Sequence, residues 1–396
     1  MSRPMRVAVV NLTSGGLSGG YRTYLRELVP RLARHHDIGA LSVALPPGSG
    51  FDADSLGAPC AEWSPGTRPA PWVRAFVRDH DVDVVFIPTA RWCDTGRPVV
   101  VMVRNMEPLV RPWTGNSLRD GLRNVLRRVA AREACRRADR VIAVSDFVSS
   151  VLSSRWSIPA GRIGVVRHGV APALRPEELE RPPGVGADGA PFIFTAGSIR
   201  PARGLEDLIG ALPQMTYAPS LQLVIAGHVD SGAERYARRL RMMAESLGVA
   251  DRVTWTGNLS TSAMRWCFTN AACFVTTSRV EACPNTALEA MAQQALSVAT
   301  NVAPMPEFFA DCARYYTAGD ARSLADAVRA TLALSPSEAQ HLRGRAGQRA
   351  GHFTWDGTAD RTVDELRRAL LRPTQQSGAA HFADSGTAEP RASLNR

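Results

Sequence analysis

In the stretch "SRVEACPNTALEAMAQQ", residues 278–294, two glutamates stand eight positions apart around a Cys-Pro-Asn break. Glu281 follows the apolar run "CFVTTS", and Glu289 lies in the helical pattern behind the break. Pro284 suits a helix's first turn, where its missing N–H costs nothing, so the spacing predicts that the N–H groups of Asn285 and Thr286 are free for a ligand. A carboxylate there repels phosphate but accepts two hydrogen bonds from vicinal hydroxyls such as those of a ribose, while the partial positive charge of the helix start receives an anion. The pair therefore fits a ligand with hydroxyls at both ends and phosphate between. Spacing alone also allows a plainer reading, a solvated loop charge followed by a helix-surface charge.

Two further stretches add chemistry of the same kind. In "TAGSIRPARGLEDL", residues 195–208, a strand ends at Gly197 and Ser198, and the loop carries Arg200 and Arg203 before Gly204 opens a helix. Two guanidiniums at a strand end can clamp a diphosphate and stabilise its charge as it leaves. In "SGGLSGGYRTYL", residues 14–25, the turn after the first strand contains Gly19 and Gly20, which let a backbone approach a ligand closely. It is not G-x-G-x-x-G, and no acid stands where a dinucleotide fingerprint needs one.

The elements that must hold these loops follow from periodicity. "MRVAVV", "LSVALP", "VDVVFIP", "PVVVMVRN", "RVIAVS" and "IGVVRHG" read as buried strands, with helices near 20–35, 71–80 and 118–138. After a proline- and glycine-rich linker at 173–191, "FIFTAGS", "LQLVIAG", "RVTWTG", "CFVTTS" and "LSVAT" alternate with four helical patterns. The expected fold class is α/β, two Rossmann-like doubly wound domains facing across a cleft: residues 1–172, with a helix at about 355–372 packing back, and 192–354. Residues 373–396 read as a disordered tail. The helix "SLRDGLRNVLRRVAAREACRRADR" sets Leu118, Leu122, Val125, Val129 and Ala130 on one side, a stripe expected to cover a sheet, with its arginines solvated or resting on an anionic membrane.

Composition excludes several classes. The 396 residues are 45% hydrophobic and carry a net charge of +10, and all 47 basic residues are arginine. No nucleic-acid module accompanies that charge. The seven cysteines are odd in number and show neither a disulfide framework nor zinc-ligand spacing. No apolar run reaches membrane-spanning length and the N-terminus lacks a signal peptide's core, which predicts a cytoplasmic protein.

The order "GGLSGGYRTYL", "HGV", "AGSIRPARGL", "VIAG", "VTWTGNLS" and "SRVEACPNTALEAMA" resembles the GT-B nucleotide-sugar glycosyltransferases of family four, over about residues 5–370. The resemblance implies a retaining transfer of a hexose or N-acetylhexosamine from a nucleoside diphosphate sugar, UDP-linked, without an obligatory metal or other cofactor. The acceptor would be a natural product, a glycan or a membrane lipid. It places Glu281 on the donor hexose and the backbone of Cys283, Pro284, Asn285 and Thr286 on sugar hydroxyls and phosphate. Glu289 takes the ribose diol, Arg203 faces the diphosphate where the family usually has lysine, Leu259 offers backbone groups to the base, and Gly19 and Gly20 close from the other domain. Ser198 stands where the family commonly has arginine, so Arg200 would compensate. The family's N-terminal-domain histidine is replaced by "VMVRNMEPL", leaving its work to Arg104 or Asn105; a non-catalytic nucleotide-sugar binding module is the alternative. His168, in the "HGV" turn, reads as structural.

Overall fold

The computed structural model describes residues 3–13, 19–110, 118–186 and 189–371. The expected tail at 373–396 and the turn residues 14–18 lie outside the described residues. The first sheet holds β1 (Met5–Val10), β2 (Ile38–Leu45), β3 (Cys60–Glu62), β4 (Val84–Ile87), β5 (Val99–Val103), β6 (Arg140–Ala143) and β7 (Ile163–Val165). Its helices are α1 (Gly19–Arg34), α2 (Ala53–Leu56), α3 (Pro69–Asp79), α4 (Glu107–Val110), α5 (Leu118–Arg137) and α6 (Asp146–Trp156). Every pairing is parallel, in the order β3-β2-β1-β4-β5-β6-β7.

The second sheet holds β8 (Phe192–Ala196), β9 (Gln222–Ala226), β10 (Val253–Gly257), β11 (Cys273–Thr276), β12 (Ser297–Thr300) and β13 (Ala313–Tyr316). It is again wholly parallel, ordered β10-β9-β8-β11-β12-β13. Around it lie α7 (Glu206–Ala211), α8 (Glu234–Ser246), α9 (Thr261–Asn270), α10 (Asn285–Ala292), α11 (Met305–Phe309), α12 (Ala321–Leu332) and α13 (Pro336–Ala350). Strands β4, β5, β6, β8, β11 and β12 are buried at every residue, as parallel strands covered on both faces must be. No helix among the described residues is long and apolar enough to cross a membrane.

The last helix, α14 (Trp355–Leu370), joins the first sheet's core through Trp355, Ala359, Val363, Leu366 and Ala369. A buried ion pair fixes it there: Arg140 Nε of β6 donates to Glu365 at 2.7 Å, and Arg368 adds a second bond at 2.8 Å. Gly164 makes the room, since a Cβ there would lie 2.2 Å from the Glu365 carboxyl carbon.

Helix α5 departs from the expected packing. Its buried positions are small or polar, among them Gly121, Asn124, Ala131, Ala134 and Cys135, whereas Leu122, Val129 and Ala130 of the expected sheet-covering stripe are exposed and Val125 is half-buried. Small residues let the helix backbone approach its neighbours closely, and that contact outweighs the burial of its larger aliphatics.

Glu365→Ala leaves the Arg140 guanidinium buried without its anion and is expected to cost about 3–5 kcal/mol of unfolding free energy in denaturant titration. A loss below about 1 kcal/mol would show that α14 does not depend on this pair.

Candidate active site

In both sheets the strand order reverses at one point, between β1 and β4 and between β8 and β11. Ligands of such sheets bind beyond the carboxyl ends of the strands at that reversal. Gly19 and Gly20 open the helix after β1; Gly197, Ser198, Arg200 and Arg203 follow β8; Glu281 follows β11.

The β8 and β11 loops are locked together by charge. Arg203 Nη1 bonds the Glu281 carboxylate and donates to Ser278 Oγ at 3.1 Å, and Ser278 Oγ donates to the same carboxylate at 3.1 Å. Thr277 Oγ1 donates to the Arg203 carbonyl at 2.7 Å. Gly197 has φ +135°, a conformation closed to most residues, and a Cβ there would meet the Arg203 guanidinium at 3.0 Å. Behind this pair, Arg279 Nη2 donates at 2.6 Å to Asp207 of α7, a buried carboxylate that also accepts from the Tyr316 hydroxyl and the Gly319 N–H at 2.9 Å.

Helix α10 begins at Asn285, with Pro284 one residue earlier than expected, at the cap. The Asn285 N–H is not free: it donates to the Cys283 carbonyl at 3.1 Å, a tight turn forced by the proline. The Thr286 N–H has no partner among the described residues. His168 Nδ1 donates to Asn285 Oδ1 at 3.1 Å, and its ring packs on Tyr24 and Trp355. Burial lowers the His168 pKa to about 4, so it is neutral and holds the helix start in place. A Cβ on Gly20 would lie 3.3 Å from Asn285 Nδ2, so the first turns of α1 and α10 converge from opposite domains. Neither first turn contains an acid, which leaves both helix ends positive.

On the next turn of α10, the Glu289 side chain makes no hydrogen bond or ion pair among the described residues. Burial raises its pKa to about 7 despite the opposing charge of Arg265 on α9. Arg265 itself bonds the Pro172 carbonyl of the interdomain segment. Leu259, in the loop before α9, packs half-buried on the second sheet's core.

On the first-sheet side, Arg200 Nη1 donates to Glu107 of α4 at 2.8 Å across the cleft, and its Nε lies 3.6 Å from Asp230, which also accepts from Ser198 Oγ at 2.9 Å. A phosphate reaching Arg200 therefore competes with carboxylates already there. Arg104 lies over the Tyr21 ring, 3.8 Å from its centroid, one residue from Gly20, and burial lowers its pKa. Asn105 turns its side chain back to the Glu107 N–H at 3.1 Å. Sequence reasoning missed Glu107, Asp230 and Arg265; Asp230, just past the end of β9, was findable as a polar residue at a strand's carboxyl end.

The family "Glycosyl transferases group 1" matches residues 177–350, and "Glycosyltransferase Family 4" matches residues 18–174. The alpha-maltose-1-phosphate synthase of Mycolicibacterium smegmatis is 30% identical over 294 residues, covering 69% of this chain and 73% of that protein. This chain is a family 4 glycosyltransferase. A D-inositol 3-phosphate glycosyltransferase from Segniliparus rotundus is 28% identical over 59% of the chain and 53% of its own length. Anabaena Alr3699/HepE, solved with UDP and glucose, shares the fold with a TM-score of 0.73 at 17% identity over 92% of this chain and 99% of that one. A glycosyltransferase of Rickettsia africae has a TM-score of 0.71 at 16% identity, covering 94% and 100%. Membership of an enzyme family sets aside the reading of the chain as an idle binding module.

The glycosyltransferase thus carries an unpaired, largely buried carboxyl beside its cleft. Its native pKa of about 7 exceeds the ordinary 4.5, so the native state holds the proton more tightly, and this contribution to stability is lost as pH rises through that window. Glu289→Gln is expected to raise the unfolding free energy at pH 8 by an amount of order 2 kcal/mol, discounted for partial exposure, and to change little at pH 4. Equal effects at both pH values in thermal melts would contradict an uncompensated carboxyl.

Proposed function

We propose that this glycosyltransferase moves a hexose or N-acetylhexosamine from a UDP-sugar to a hydroxyl of a small-molecule or glycan acceptor, with retention at the anomeric carbon. The observation that carries the reading is Glu289, a carboxyl held without a partner one turn behind a convergence of two positive helix ends. A nucleoside diphosphate satisfies both features at once. The ribose diol donates two hydrogen bonds to Glu289, and the diphosphate lies against the first turns of α1 and α10 with Arg203 alongside. Leu259 borders the base, and Glu281 faces the hexose through the oxygen not taken by Arg203.

The glycosidic bond breaks with its electron pair passing to the diphosphate, whose growing charge Arg203 and the helix ends stabilise more than the ground state. The acceptor oxygen bonds the anomeric carbon from the face the diphosphate leaves, and its proton passes to the departing phosphate oxygen. His168 is neutral and engaged and Glu281 is tied to Arg203, so neither is placed as the base that an inverting transfer needs. These cations and helix ends take the role a divalent metal would otherwise play. The one cluster of groups within coordinating reach among the described residues, His35, His36 and Asp37, follows the far end of α1, about 24 Å from Gly19. The acceptor enters from the first-sheet side past Asn105, and the relatives' names, a maltose-1-phosphate synthase and an inositol 3-phosphate glycosyltransferase, favour a small polyhydroxylated one.

Titration with UDP, UDP-sugars and GDP-sugars, with nucleotide release as the turnover readout, tests the assignment. Glu289→Ala is expected to weaken UDP and UDP-sugar alike by about 2–3 kcal/mol; unchanged affinity in a folded variant would remove Glu289 from the site. Glu281→Gln is expected to leave UDP binding intact while lowering turnover, and equal weakening of both would mean the two glutamates exchange roles. Arg203→Ala is expected to reduce kcat about a hundredfold. Full turnover at saturating donor would show that the diphosphate does not leave against this loop.

A further inference from the structure

Helix α5 turns outward the side chains that a helix ordinarily buries. Leu122, Leu126 and Val129, on successive turns of one face, are 58, 63 and 62% exposed. Five large apolar side chains reach such exposure among the described residues, and three of the five form this single stripe, so scattered surface apolarity does not account for them. At 3.6 residues per turn, Arg123 and Arg127 lie to one side of the stripe and Arg128 to the other, all three exposed, while Arg132 is half-buried. No acidic residue stands between Asp120 and Glu133.

We infer that this face of α5 docks on an anionic lipid surface. The aliphatic stripe supplies the depth of insertion at the headgroup–acyl boundary, and the flanking guanidiniums meet lipid phosphates. A second copy of the chain is a poor occupant, because a two-fold pairing of this face sets the arginine rows against each other. Nucleic acid satisfies the arginines but leaves the aliphatics against phosphate. The helix packs on α4, whose Glu107 meets Arg200 across the cleft, so docking here holds the mouth of the cleft near the membrane plane. The inference rests on this surface alone and stands whether or not the donor assignment does.

The full chain is sedimented with vesicles of phosphatidylcholine alone and of phosphatidylcholine mixed with phosphatidylglycerol. It is expected to pellet with the mixed vesicles, weakly with the neutral ones, and less as salt rises. Replacing the exposed stripe, Leu122→Ser with Leu126→Ser and Val129→Ser, is expected to lower partitioning at least tenfold, and Arg128→Gln about fivefold. Met242→Ser, at another exposed apolar residue on α8, serves as the control and is expected to change nothing. Circular dichroism confirms that each variant folds. Equal pelleting of wild type and the triple serine variant, or no pelleting with anionic vesicles at low salt, overturns the inference. So does a wild-type dimer in sedimentation velocity that the triple variant converts to monomer, which would assign the face to self-association.

Discussion

The site depends on one ion pair. Arg203 and Glu281 belong to loops after β8 and β11, strands separated by nearly eighty residues of chain but adjacent in the sheet, and their contact closes the reversal of strand order on its ligand side. The pair is less than one-fifth exposed, so its attraction is weakly screened, while the bond from Ser278 and the Thr277 bond to the Arg203 carbonyl fix its geometry. Gly197 is the cost of the arrangement: only a residue without a side chain leaves the space that the guanidinium fills. The Arg279–Asp207 pair ties the β11 loop to α7 as well, a second anchor behind the first.

From that pair the geometry of the rest follows across the domain boundary. The chain that leaves Glu281 turns through Cys283 and Pro284 into α10, and the start of α10 is held by His168, which belongs to the segment leaving the first domain. His168 is packed by Tyr24 of α1 and Trp355 of α14, so the beginning of α10, the body of α1 and the returning helix share one aromatic cluster. A displacement of either domain is therefore felt at the two helix ends that meet at Gly20 and Asn285. The buried Arg140–Glu365 pair makes the returning helix part of the first sheet's core rather than a strap across the surface.

Much of the architecture was legible in the residues. Strands such as β5 and β8 are continuous apolar runs because both of their faces are covered, and such runs announce themselves. The edge strands β3 and β13 did not, being short and half-exposed. Helix α13 was overlooked because Gly344 and Gly347 break its pattern, although its Ser335–Glu338 capping box was readable. Periodicity found the aliphatic stripe of α5 but not its direction, because that depends on which face fits its neighbours. In the site, residue types at strand ends gave the positions, whereas the partners of Arg203 and Arg200 required knowing that β11 lies beside β8 and that α4 crosses to the other domain.

The charges of the cleft explain how a chain without lysine, and without a histidine after β5, keeps a coherent arrangement. Arginine brings five donors where lysine brings three, so Arg203 can hold Glu281 and Ser278 through Nη1 while other N–H groups remain for an incoming anion. Arg200 reaches from the second domain to Glu107 on the first, leans on Asp230, and thereby spans the cleft. An anion that draws Arg200 toward itself must loosen the bond to Glu107, and a carboxylate released from its arginine in a partly buried cleft seeks another donor. The hydroxyl of a second substrate is such a donor. Arg200, Glu107 and Asp230 thus form one line of charge across the cleft, and an anion bound to Arg200 competes with both carboxylates.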